Sequence, residues 1–195
     1  RVGEMLHAKG FYVLGMRLPG HGTTPGALAR ANWEDWVAAS KIGARHVHDR
    51  IGPARPFVIV GYSNGGGLAV KYALDALDDP QLPAPDRLLL FSPEIGIMRL
   101  AFIASAHKLL SFIPFFAKSK WVSIEPEYDP FKYNSFPKHA VQEAWDVTTT
   151  LQRQVRKARR TERIRALPRV LTFLSWADAT VETSATVERF YGQLI

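Results

Sequence analysis

A chain of 195 residues, 47% of them hydrophobic, is long enough to bury one sizeable core and reads as one domain with an inserted subdomain. The absence of cysteine excludes disulfides, thiolate metal sites and a cysteine nucleophile. The net charge of +7 would suggest a nucleic-acid or membrane partner, but residues 151–165 carry Arg153, Arg156, Lys157, Arg159, Arg160, Arg163 and Arg165 against Glu162 alone, so the excess is local.

In chain order, Val2 to Ala8 reads as the end of a helix stopped by Gly10. Residues 1–9 hold no apolar core of signal-peptide length, and compartment is not legible, with the cytoplasm as the default. Phe11 to Met16 is a short apolar run that predicts a buried strand, followed by the loop Leu18-Pro19-Gly20-His21-Gly22. Asn32 predicts a helix cap, with Asp35 three residues on as a weak capping box, and Trp33, Trp36, Val37, Ala44, Val47 and Ile51 recur at helical spacing. Pro53 and Pro56 end that element, and Phe57 to Val60 predicts a second strand.

A helix is expected from about Asn64 to Leu77, with Leu68, Ala69, Tyr72, Ala73, Ala76 and Leu77 as its buried stripe. Arg87 to Phe91 and Val170 to Leu174 predict two more strands, and a helical pattern runs from Thr183 to the end. Strands alternating with helices give an α/β class with a mostly parallel sheet flanked by helices. The stretch between the last two strands is helical in character without a strand pattern, so residues 96–167 read as a helical cap inserted into a core of 1–95 and 168–195. No apolar run reaches membrane-spanning length uninterrupted; the nearest, Ile95 to Phe116, contains Arg99, His107, Lys108 and Pro114.

The strongest chemical signal is Gly61-Tyr62-Ser63-Asn64-Gly65, a G-x-S-x-G pattern between an expected strand and an expected helix. In so sharp a turn side chains on both flanks would collide, which calls for glycine two positions before and two after the serine. The turn would hold Ser63 in a strained conformation, and the helix start offers the Asn64 N–H to an oxyanion. Gly66 and Gly67 would let the helix pack closely on the sheet. With Arg17-Leu18-Pro19-Gly20-His21-Gly22 before it and Trp176-Ala177-Asp178-Ala179-Thr180-Val181 after the last strand, the chain resembles the α/β-hydrolase superfamily in its monoacylglycerol-lipase-like and carboxylesterase-like branch.

That resemblance spans essentially the whole chain and implies an α/β-hydrolase fold with a Ser-His-Asp mechanism. Ser63 is then the nucleophile, Asp178 the acid that orients the histidine, Asn64 an oxyanion donor, and Gly61, Tyr62, Gly65 and His21 line the site. Glu94, in Ser92-Pro93-Glu94 after the third strand, is a second candidate acid. The family order places the histidine after Asp178, yet His7, His21, His46, His48, His107 and His139 all precede it. The family also takes one oxyanion donor from a loop before Arg1, after a strand that lies between the first two strands expected here. The segment is therefore expected to be truncated at both ends, with the histidine beyond Ile195, and to be inactive and poorly stable alone.

No metal or organic cofactor is expected; His46 and His48, two apart on a helix, face different sides and make no metal pair. Phe102, Ile103, Leu109, Leu110, Phe112, Ile113, Phe115 and Phe116 make the front of the cap apolar, suited to an acyl pocket, a lipid surface or plain core. The basic run is expected to continue the helix from about Lys138, most simply as a solvated face, with anionic lipid headgroups or acidic substrates as the alternative. Nucleic acid is not expected, because no motif or interleaved aromatic pattern accompanies the charges. The reading is an esterase or lipase acting on a small-molecule or lipid ester. A serine aminopeptidase, for which Glu125 and Glu127 could hold a substrate amine, and a non-catalytic binding protein are the alternatives. Oligomeric state is not legible.

Overall fold

The computed structural model describes residues 2–96, 120–129, 133–175 and 183–194. Helix α1 (Val2–Ala8) and a short α2 (Pro25–Leu28) precede the long α3 (Trp33–Ile51). Strand β1 (Val58–Tyr62), helix α4 (Asn64–Asp78) and strand β2 (Arg87–Phe91) follow. After β3 (Trp121–Ser123) and β4 (Phe136–Pro137) come α5 (Lys138–Arg160), a 3-10 turn at Arg163–Ala166 and β5 (Arg169–Phe173). Helix α6 (Thr183–Thr186), a π-helical turn at Val187–Tyr191 and α7 (Gly192–Leu194) form the C-terminal part.

Strands β1, β2 and β5 make a parallel sheet in that order, with Val60 level with Leu89 and Leu89 level with Leu171. Its covered face meets the main core, in which α4 (Ala69, Val70, Ala73, Leu74), β2 (Leu88, Leu90), α5 (Leu151, Val155, Ala158) and Phe190 pack together. Thus α5 shares the core of the sheet. The opposite face carries Val58, Val60, Tyr62, Leu171 and Phe173, all exposed, with the Phe91 and Phe173 rings stacked at 5.1 Å. Apolar runs such as those of β1 and β5 suit parallel strands covered on both sides, and the described residues cover one.

The structure corrects several expectations. Residues 11–16 form no strand: no described strand pairs with them, and their side chains turn to helices instead, the Tyr12 hydroxyl 2.9 Å from His46 Nε2 and the Met16 sulfur packed where Gly43 leaves room. The insertion does contain strands, the antiparallel pair β3 and β4, which are too short for alternation to reveal. The basic helix stops at Arg160 instead of running through Arg165, because Glu162 takes a left-handed conformation at φ 56°. The buried stripe expected on α4 is wider: all of Gly66 to Asp75 is buried, since α3, α5 and the sheet surround the helix.

The apolar front expected for the insertion, Phe102 to Phe116, lies outside the described residues. Among those described, no helix is long and apolar enough to cross a membrane.

Candidate active site

One residue separates β1 from α4. Ser63 turns the chain at φ 52° and ψ −121°, a conformation that costs a non-glycine residue about 1–3 kcal/mol. Hydrogen bonds hold it there: its N–H donates to Phe91 O (3.0 Å), and its carbonyl accepts from the N–H groups of Gly66 (2.9 Å), Gly67 (3.3 Å) and Glu94 (2.8 Å). The turn is thereby fastened to the Ser92-Pro93-Glu94 loop that leaves the neighbouring strand.

The steric requirement is lopsided. A Cβ on Gly61 would lie 2.5 Å from Gly65 O, whereas a Cβ on Gly65 would meet nothing within 4 Å; the crowded positions on the helix are Gly66, against Pro93, and Gly67, against Glu94 O. The expectation of a matched glycine on each side therefore holds for Gly61 and fails for Gly65. Gly61→Ala is expected to destabilise the protein by about 1–3 kcal/mol through forced displacement of the α4 backbone. Gly65→Ala, in a helical position with open space, should be neutral or stabilise by up to about 1 kcal/mol. Urea unfolding of the two variants, side by side, checks the opposite signs.

Asn64 begins α4, and among the described residues neither its N–H nor that of Gly65 has a backbone acceptor. Two free donors and the positive end of a helix dipole beside Ser63 suit a developing negative charge. The Asn64 side-chain oxygen is buried with no hydrogen-bond partner among the described residues. Tyr62, just before the turn, is 74% exposed.

Glu94 is half-buried and burial pushes its carboxyl from the ordinary 4.5 up to about 7. A carboxyl that holds its proton more tightly folded than unfolded makes the native state bind the extra proton between those values, so stability falls as pH rises from about 4.5 to 7. Glu94→Gln should flatten that limb; thermal unfolding across the same pH range reads it out, and parallel curves for the two proteins would contradict the assignment.

His21 is placed by its own loop: Nδ1 donates to Pro19 O at 3.2 Å, the same carbonyl accepts from Trp36 Nε1 at 3.0 Å, and the imidazole stands edge-on to the Trp36 ring. No described hydrogen bond joins His21 to Ser63. Asp178 and its flanking residues 176–182 lie outside the described residues. Sequence reasoning missed the side chains that clamp the His21 loop and the start of α3. The Tyr133 hydroxyl accepts from Thr23 N–H (2.7 Å) and donates to Gly20 O (3.3 Å), while Glu143 Oε2 accepts from Trp33 N–H (2.9 Å). His139 faces Ala31 O at 3.1 Å and Glu143 Oε1 at 3.5 Å. Partners more than a hundred positions apart leave no local signal.

Glu127 is engaged inside its own loop, accepting the Asn134 and Ser135 N–H groups at 2.8 Å each; the Asn134 bond first, and the Ser135 bonds after it, lower its pKa against the opposing effect of desolvation. Among the described residues no group of three or more His, Asp or Glu side chains is arranged to hold a metal ion.

These elements are those of an α/β hydrolase, and the comparisons agree on the fold. A solved structure connected with LipS and LipT, two metagenome-derived lipolytic enzymes, is 18% identical with a TM-score of 0.67, over 98% of this chain and 71% of that one. The monoacylglycerol lipase of Paleococcus ferrophilus is 14% identical with a TM-score of 0.55, over 98% of this chain and 84% of that one. No curated protein matches significantly. The family described as serine aminopeptidase, S33, matches residues 1–193, and the chain belongs to it.

Proposed function

We propose that this chain is the body of a serine hydrolase that cleaves carboxylic esters through an acyl-enzyme. Ser63 Oγ attacks the ester carbonyl while a histidine takes its proton; the tetrahedral oxyanion sits against the Asn64 N–H, and collapse expels the alcohol, which receives that proton. Water then attacks the acyl group by the same route and releases the acid. Asp178 orients the histidine in this scheme, and Gly61, Tyr62, Gly65 and His21 shape the site without entering the chemistry. The observation that carries the reading is Ser63 held at a strained strand-to-helix turn beside two free helix N–H groups.

The test is hydrolysis of p-nitrophenyl esters of increasing acyl length by the full-length protein, wild type beside Ser63→Ala. Activity lost in the variant supports the nucleophile, and a preference for medium or long chains supports an acyl pocket in the cap. The family's description keeps an aminopeptidase as the second reading. Glu127 spends one acceptor site of each carboxylate oxygen on its own loop, which leaves Glu125 the less committed of the two carboxylates for a substrate amine. Turnover of aminoacyl p-nitroanilides in preference to esters would favour that reading instead.

A further inference from the structure

The basic run at the end of α5 divides into two sets. One set is paired with other groups of the protein at its surface: Arg163 bonds Asp78 and Leu77 O, Arg159 donates to Gln193 at 3.0 Å, and Arg165 lies 3.8 Å from Glu162. The other set, Arg153, Arg156 and Arg160, is exposed and has no hydrogen-bond or ion-pair partner among the described residues. These three recur at i, i+3 and i+7, opposite the buried stripe of Val147, Leu151, Val155 and Ala158, and so project from one face of the helix. Together with Lys157, whose nearest described carboxylate is Asp78 at 3.9 Å, and Thr161 they line a shallow depression of about 320 Å³ that no acidic side chain of the described residues enters.

Like charges three and four residues apart destabilise a helix by about 0.2–0.5 kcal/mol per pair. The dipole at the helix C-terminus offsets this for Lys157 and Arg160, in the last turn, but its effect does not reach back to Arg153 and Arg156. Nothing described inside the protein compensates those two guanidinium groups. A ligand that does so must be anionic and must span about 10 Å along the helix, the rise from Arg153 to Arg160. The face lies along a single helix with no aromatic side chain between residues 152 and 162 on which a base could stack. A planar array of phosphates fits such a face.

We propose that the face of α5 formed by Arg153, Arg156 and Arg160 docks the protein on an anionic phospholipid surface. Because the late turns of α5 pack on the late turns of α4, with Gln154 on Asp75 and Lys157 near Asp78, the three arginines lie toward the end of α4 opposite the Ser63 turn, and docking leaves that turn uncovered. The proposal does not rest on the ester-hydrolase reading, since its readout is binding.

The experiment is cosedimentation of the full-length protein with vesicles of phosphatidylcholine alone or mixed with phosphatidylglycerol. Two variants accompany it: Arg153→Gln/Arg156→Gln/Arg160→Gln, and a charge-matched control, Arg50→Gln/Arg55→Gln/Arg165→Gln, which removes three exposed cations elsewhere. Wild type and control should bind the mixed vesicles and leave phosphatidylcholine unbound, with binding abolished by raised salt. The face variant should bind on the order of 10²-fold more weakly while retaining its unfolding temperature. Equal loss in both triple variants, undiminished binding by the face variant, indifference to phosphatidylglycerol, or tighter binding to a short DNA duplex than to vesicles would each overturn the proposal.

Discussion

Ser63→Ala is expected to lower kcat for ester hydrolysis by about 10⁶-fold, the loss typical when the nucleophile of a serine triad is removed, with rate above the uncatalysed level persisting from oxyanion stabilisation and binding. The structure makes this substitution unusually clean. Alanine and serine pay the same steric cost at φ 52°, and every hydrogen bond that fixes the turn runs through the Ser63 backbone: N–H to Phe91, carbonyl from Gly66, Gly67 and Glu94. The described residues place no partner on the Ser63 hydroxyl, so its removal strands no buried group. The unfolding midpoint of the variant should therefore match wild type within the scatter of an ordinary surface substitution, about 0.5 kcal/mol. Activity retained by a folded Ser63→Ala protein would sink the proposed mechanism, and activity lost together with the fold would show that the side chain supports the turn in a way the hydrogen bonds do not reveal.

What was legible in the sequence was whatever a short window encodes. The strands at Val58–Tyr62, Arg87–Phe91 and Arg169–Phe173 are within two residues of the apolar runs, and α3 and α4 follow their capping and spacing signals closely. The Ser63 turn was legible because strand, glycine, serine and helix are contiguous. The run at Phe11–Met16 misled because apolar composition marks a segment fit for a sheet, whereas a strand exists only when a second backbone pairs with it. Gly65 misled for a related reason: the pattern names a glycine, but the atoms that crowd the turn come from the Pro93–Glu94 loop, about thirty positions away, and press on Gly66 and Gly67 instead. The Tyr133 and Glu143 clamps on the His21 loop and α3 depend on the path of the insertion, which no local pattern specifies.

The same limit hid Asp75. Two opposite charges four residues apart on an exposed helix face are worth a few tenths of a kcal/mol, and nothing in the local pattern around Lys71 and Asp75 marks them as more. In the fold Asp75 is the buried joint of three helices: Lys71 Nζ and Gln154 Nε2 of α5 reach Oδ1 at 2.7 and 2.8 Å, and Lys41 Nζ of α3 reaches Oδ2 at 3.1 Å, with the Lys71 and Asp75 side chains about nine-tenths buried. Burial alone would raise the Asp75 carboxyl; the hydrogen bonds from Lys71 and Gln154, the Lys71 charge and the Lys41 contact outweigh it and hold the pKa below 3.8. Asp75→Ala leaves the Lys71 ammonium buried without a counter-charge and should cost about 3–5 kcal/mol, a large share of the 5–15 kcal/mol typical of a domain. Lys71→Met/Asp75→Leu, which removes the buried ion pair and keeps the volume, should recover part of that loss, the remainder reflecting the Gln154 amide left without its acceptor. The pH dependence carries the same signature. A carboxylate with a lowered folded pKa stabilises the protein above about 3.8 and loses that contribution as pH falls through the folded value, so the wild type should lose an increment of stability in acid that both variants lack. Urea titrations at pH 7 and in acid read both effects. An Asp75→Ala protein within 0.5 kcal/mol of wild type would mean that Lys71 escapes to solvent and that the joint is held by the apolar contacts of α4 and α5 alone.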